Sequence, residues 1–127
     1  MQADARVRED PIALKEFRRI KRMLNSIGKD DSLYSAQINR YSMLYSECLA
    51  LEERRKKLEA AGDETEDDKC RIEFYKLAND CSREIMSKRR MMSDIERDNI
   101  MTIAAALRSI PKKPDKAKNP LLEALSG

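Results

Sequence analysis

Four cations crowd five positions at Arg18, Arg19, Lys21 and Arg22, and four more are strung along Lys112, Lys113, Lys116 and Lys118. Side chains of this type at this spacing suit one kind of chemistry: they neutralise phosphates, releasing counterions in proportion to the contacts made. Two further basic runs, Arg54 to Lys57 and Lys88 to Arg90, have plainer readings. In "EERRKKLE", Glu52 to Glu59, acids precede bases by three and four positions, so the run pairs with itself at about 0.3–0.5 kcal/mol per pair. "KRRMM" sets its cations beside Met91 and Met92, which read as adaptable core or interface filling. Acids gather in "DETEDD", Asp63 to Asp68. With 26 basic and 23 acidic residues the net charge is only +3, so a positive face must come from segregation of the charges.

Equipment for covalent chemistry is missing. No histidine occurs, which removes the commonest general base and the commonest metal ligand. There is no Gly-rich phosphate loop and no carboxylate cluster tied to a pocket, so the expectation is a non-enzyme with no metal and no cofactor. Cys48, Cys70 and Cys81 have no C-x-x-C spacing and cannot all pair with one another, which favours a reduced, intracellular setting. The opening "MQADARVRED" has no apolar core of a signal peptide, and no run approaches the roughly 18–20 apolar residues of a membrane span.

The elements that must carry these residues are helices. Charged residues make up 39% of the 127-residue chain and aromatics 5%, with three glycines and four prolines, a balance that suits long solvated helices around one modest core. Residues 1–9 read as a flexible start. At "DP", Asp10 caps a helix whose first residue is Pro11, and Ala13, Phe17, Ile20, Leu24 and Ile27 form one stripe, closed by Gly28 in the left-handed region. A second helix, capped by Asp31 or Ser32, runs to about Ala61, with Gly62 as its stop. Its stripe is broad enough to meet more than one partner helix, and Tyr34, Ile38, Tyr41 and Tyr45 on it are candidates for a contact between copies.

The acidic turn then leads into a third helix, with Thr65 and Asp68 resembling a capping box. Cys70, Phe74, Leu77, Cys81, Ile85, Met92 and Ile95 mark its apolar side. Two long helices and a short turn make an antiparallel hairpin, with the first helix across it. A break or kink is expected near Asp94 to Asn99, followed by a short C-terminal helix that Pro111 ends. The fold class is therefore all-α, with a helical domain over residues 10–110. Residues 111–127, "PKKPDKAKNPLLEALSG", read as an extended basic tail with a short apolar end. Helix one and the start of helix two, joined through "GKDD", also have the turn length of a helix-turn-helix, although the second helix starts with Leu33 and Tyr34 where a polar reading edge belongs.

Taken together, "DPIALKEFRRIKRMLNSIG", "INRYSMLYSECLALEERRKKLE", "IEFYKLANDCSREIMSKRR" and "NPLLEAL" resemble the small subunit of tailed-bacteriophage terminase, the viral DNA-packaging machine. The resemblance spans about Asp10 to Ile110 and rests on helical patterns, not on a catalytic signature. At Ser93 to Asn99 the chain departs from it: many relatives carry an "LGLTP"-like turn where "SDIERDN" stands here.

The resemblance implies a non-catalytic helical protomer that forms a ring homo-oligomer in the cytoplasm of the infected bacterial host. It also implies binding to double-stranded viral DNA and regulation of a large subunit holding the ATPase and nuclease. In that setting Arg18, Arg19, Lys21 and Arg22 are the first DNA-contacting set and Lys112, Lys113, Lys116 and Lys118 the second. Leu121, Leu122 and Leu125 become an anchor on the large subunit. Two other readings are a structural helical adaptor and a small helix-turn-helix transcriptional regulator.

Overall fold

The computed structural model describes residues 1–28 and 32–98, and every regular element among them is helical. Helix α1 covers Ala5–Glu9, α2 Pro11–Ser26, α3 Ser35–Glu64 and α4 Asp68–Asp98, with a 3-10 turn at Ser32–Tyr34 leading into α3. The all-α class and the long packed helix pair expected from the sequence are both present. The short C-terminal helix and the tail 111–127 lie outside the described residues.

Local chemistry accounts for the start and stop of α2. The Asp10 carboxylate accepts from the amides of Ile12 and Ala13 at 3.0 and 3.1 Å, while Pro11 fills the first helical position, which needs no N–H. At the other end Gly28 takes φ +70°, the left-handed cap that only glycine adopts without strain. The free oxygen of Asp10 receives the Ser46 hydroxyl at 2.6 Å, so one cap residue also ties α2 to α3.

Helices α3 and α4 run antiparallel. Lys88 pairs with Glu47, Arg89 with Glu52, and Tyr75 donates to Asp63, so positions rise along one helix as they fall along the other. At the open end of this hairpin α1 and α2 close a core of Val7, Ala13, Phe17, Ile20, Leu24, Ile38, Tyr41, Leu44 and Ile95. All four helices contribute to it. We call this end the head. Beyond it the hairpin continues as a two-helix arm, tipped by the acidic turn.

Several expectations are corrected here. The first nine residues are not a loose start: Ala5–Glu9 is helical and Val7 is fully buried. Such a short helix has little stability of its own. Asn39 holds it, accepting from the Asp4 amide at 2.7 Å and donating to the Gln2 carbonyl at 3.1 Å. Gly62 does not end the second helix, which continues to Glu64 with Thr65 as its cap. A Cβ at Gly62 would lie 2.6 Å from Cε1 of Tyr75, so the glycine makes room for that ring.

The cap of α4 is not a Thr65–Asp68 box. Asp67 takes that role, accepting from the Lys69 amide at 2.9 Å, while Thr65 accepts from the Asp67 amide. Helix α4 runs without a break through Asp94 to Asp98, with Ile95 in the head core, while Asn99, the far end of the expected break, lies outside the described residues. Nor does Ser32 cap α3 directly; the alternative cap, Asp31, lies outside the described residues. The 3-10 turn intervenes, and Tyr34 occupies the cap position with no side-chain bond to the helix.

Candidate nucleic-acid interface

The cluster Arg18, Arg19, Lys21 and Arg22 lies on α2, as its position in the sequence requires, but it is not one patch. Successive helical residues turn by about 100°, so neighbours in sequence diverge around the axis. The structure puts them on two flanks of the α2 ridge.

On one flank a recess of about 510 Å³ lies between α2 and the N-terminal segment, lined in part by Arg8, Leu14, Phe17, Arg18 and Lys21. None of its lining residues is acidic. Lys21 donates to the Met1 carbonyl at 2.9 Å and Arg8 to the Ala3 carbonyl at 2.8 Å. Those acceptors are neutral, so both side chains keep their full charge and retain donors for a second partner. Arg18 is exposed beside them.

The other flank is a groove of about 480 Å³ between α2 and α3, walled by Pro11, Ile12, Tyr45 and Leu49 and edged by Lys15, Arg19 and Arg22. Here the positive charge is partly spent. Arg19 grips the buried Glu16 with two hydrogen bonds, Nε at 2.5 Å and an Nη at 2.9 Å, and Glu16 holds the guanidinium pKa above its ordinary value. A buried carboxylate needs such a partner, and the bidentate fork satisfies both of its oxygens. Of the first DNA-contacting set expected from the sequence, Arg19 is therefore already engaged by a carboxylate of its own helix.

The expected contact set between copies changes as well. Ile38 and Tyr41 are buried in the head core of their own chain, at 0% and 8% exposure, so neither is available to a second copy. Tyr34 packs half-buried against the same core. Tyr45 lines an open groove between α2 and α3. The broad stripe on α3 is explained within one protomer, because one side meets α2 and the other meets α4.

As a helix-turn-helix, α2 and α3 fit poorly. The first two turns of α3, where a reading helix presents polar side chains to base edges, place Ile38, Asn39, Tyr41 and Ser42 in the interior. Lys112, Lys113, Lys116, Lys118, Leu121, Leu122 and Leu125 fall outside the described residues.

Apolar surface is left over on the arm. Among the described residues 49–80, only Gly62 and Ala78 are buried, and Leu51, Leu58 and Phe74 are half-buried. Ile72 is 56% exposed and Leu77 40%. No group of three His, Cys, Asp or Glu side chains among the described residues is placed to hold a metal ion, and no described helix is long and apolar enough to cross a membrane.

The sequence signal for the division of α2 was present in the spacing. Leu14, Arg18 and Lys21 share one face by steps of four and three, and Lys15, Arg19 and Arg22 share the next. Arg8 carried no such signal, since its place depends on the folding of α1 against Asn39. No protein-family model, curated protein or solved structure matches this chain.

Proposed function

We propose that this chain is a non-catalytic, ring-forming DNA-binding subunit of a phage packaging motor, of the terminase small-subunit kind, which recruits or regulates a separate large ATPase and nuclease subunit. The observation that carries the DNA-binding part is the recess on α2, where Arg8, Arg18 and Lys21 line one concavity with no acidic residue among its walls. Three such cations reach phosphate oxygens and carry no base information of their own, so the contact tracks the backbone of the duplex. One copy of this recess is a weak site. A ring repeats it around an axis, and several weak contacts on one duplex add through effective concentration.

Self-association is supported by the arm, where half-buried Leu51, Leu58 and Phe74 and exposed Ile72 and Leu77 are more apolar surface than two helices cover between them. The lysines at 112, 113, 116 and 118 supply a second set of phosphate contacts, and Leu121, Leu122 and Leu125 are the anchor for the large subunit.

Native mass and DNA affinity against salt test this together. The intact chain should assemble above its 14.7 kDa protomer mass. Its affinity for duplex DNA should fall steeply as salt rises, with a log–log slope of about 0.9 per phosphate contacted. A flat salt response removes the phosphate contacts, and a monomer removes the ring. Deletion of residues 119–127 should spare assembly and DNA binding while weakening capture of the large subunit.

A further inference from the structure

The groove between α2 and α3 and the acidic tip of the hairpin are complementary, and they cannot meet within one chain. The groove has an apolar floor, Pro11, Ile12, Tyr45 and Leu49, and Ile12 stands 45% exposed in it. Its edge carries Lys15 and Arg22, both exposed, while the charge of Arg19 is matched by Glu16. An occupant must therefore bring carboxylates for the edge and an apolar side chain for the floor.

The tip offers both. Asp63, Glu64, Glu66, Asp67 and Asp68 are all exposed, against Lys69 and Arg71 as nearby cations, and Ile72 stands one turn along α4 from Asp68. Asp63 is engaged by Tyr75, Asp67 by the cap of α4 and Asp68 by Arg71. Glu64 and Glu66 are the acids of the tip to which no such local role falls among these contacts.

Intramolecular closure is blocked by α3 itself. Tyr45 and Leu49 lie in the groove and Glu64 at the tip, on one uninterrupted helix, so the rise of 1.5 Å per residue holds them about 25 Å apart. The partner with the required chemistry is a second copy of this chain.

We infer that the acidic tip of one copy, with Ile72, docks in the Lys15–Arg22 groove of another. This rests on the self-association proposed above and names its surfaces. The contact is head to tip, so every copy has one groove to fill and one tip to offer, and repetition builds a closed assembly when the rotation per copy closes. It also divides the work of α2. The groove flank takes protein, and the opposite flank, with Arg8, Arg18 and Lys21, stays open to phosphate.

Charge reversal by halves tests this without DNA. A head variant carrying Lys15→Glu and Arg22→Glu should sediment as the 14.7 kDa protomer, as should a tip variant carrying Glu64→Lys and Glu66→Lys. Both should keep wild-type helical circular dichroism. Mixed one to one, they should assemble again above the protomer mass, in closed species of even copy number where the two variants alternate, because each reversed surface then meets its reversed complement and each native surface its native one. Wild-type association should also loosen as salt rises.

Reversals that leave the wild-type mass unchanged overturn the head-to-tip contact while leaving self-association intact. So does a mixture of two folded variants that stays monomeric. A wild-type chain that is itself monomeric overturns both, whereas the salt response of DNA binding stands or falls separately.

Discussion

The head and the arm are made from the same two long helices, yet they solve the burial problem differently. In the head, α3 meets α1 and α2 as well as α4, and Ile38, Ile20, Leu24, Val7 and Ala13 are wholly removed from water. Along the arm α3 has α4 alone, and its leucines stop at half-burial. A helix pair offers each member one covered side, whereas a third helix closes the gap between them. The arm holds its shape as an extension of the head and leaves surface for something else.

The sharpest way to break that comparison is to cut equal-sized side chains from each region. Leu24→Ala, in the head, should lower unfolding free energy by about 2–5 kcal/mol, since it removes buried methyls and leaves a cavity. Leu58→Ala, on the arm, should cost about 1 kcal/mol or less in dilute protein, because water already reaches the site. Equal losses on urea unfolding would show that the arm is covered in the isolated chain.

Next in size is the contrast across α2. Arg19→Ala strands Glu16 in the interior and should cost about 1–2 kcal/mol, less than for a fully buried pair because Arg19 is partly solvated. Arg18→Ala should leave stability within about 0.5 kcal/mol of wild type. Thermal unfolding of the two variants side by side separates a structural arginine from a free one.

Asp10 provides a pH-dependent version of the same test. Its pKa is held below the ordinary carboxylate value, chiefly by the Ser46 hydroxyl and then by the Ala13 amide. The folded state therefore binds its proton less readily than the unfolded chain. The stability this confers is present above the ordinary value near pH 4 and is lost as pH falls through the lower folded value. Asp10→Ala should cost about 1 kcal/mol at neutral pH through loss of the cap. Asp10→Asn keeps a capping oxygen and should flatten part of the acid limb of stability against pH.

The smallest effect is at Gly62. An alanine there gains about 1 kcal/mol of helix propensity but meets the Tyr75 ring, which must swing off its hydrogen bond to Asp63. The two contributions nearly cancel in the native background. With Tyr75→Ala already present, Gly62→Ala should stabilise by up to about 1 kcal/mol, and a double-mutant cycle reads the difference.

Much of this architecture is legible in the residues themselves. Asp10, Pro11 and Gly28 mark both ends of α2 because capping and backbone freedom are local properties. The hairpin follows from two long apolar stripes and a short acidic turn. What failed to show was set by contacts distant in sequence. Residues 1–9 look loose until Asn39, some 35 positions away, is seen to hold them. Gly62 looks like a stop until Tyr75 fills the space it leaves.

The breadth of the α3 stripe signals two partners but does not say whether they belong to the same chain. Both do, and that removes Ile38 and Tyr41 from any contact between copies. For the candidate site, charge density in the sequence points to α2. Linear proximity concealed that Arg18 and Arg19 face different flanks, and only helical spacing resolves them.

The most direct test of the division across α2 is the salt dependence of duplex-DNA binding for two variants compared with the native chain. Replacing Arg8, Arg18 and Lys21 by alanine should weaken binding at every salt concentration and reduce the log–log slope by about 0.9 for each phosphate no longer neutralised. Replacing Lys15 and Arg22 by alanine should leave the slope per protomer unchanged. If the Lys15 and Arg22 replacements lower the slope and the recess replacements do not, the phosphate-binding flank has been assigned to the wrong side of the helix.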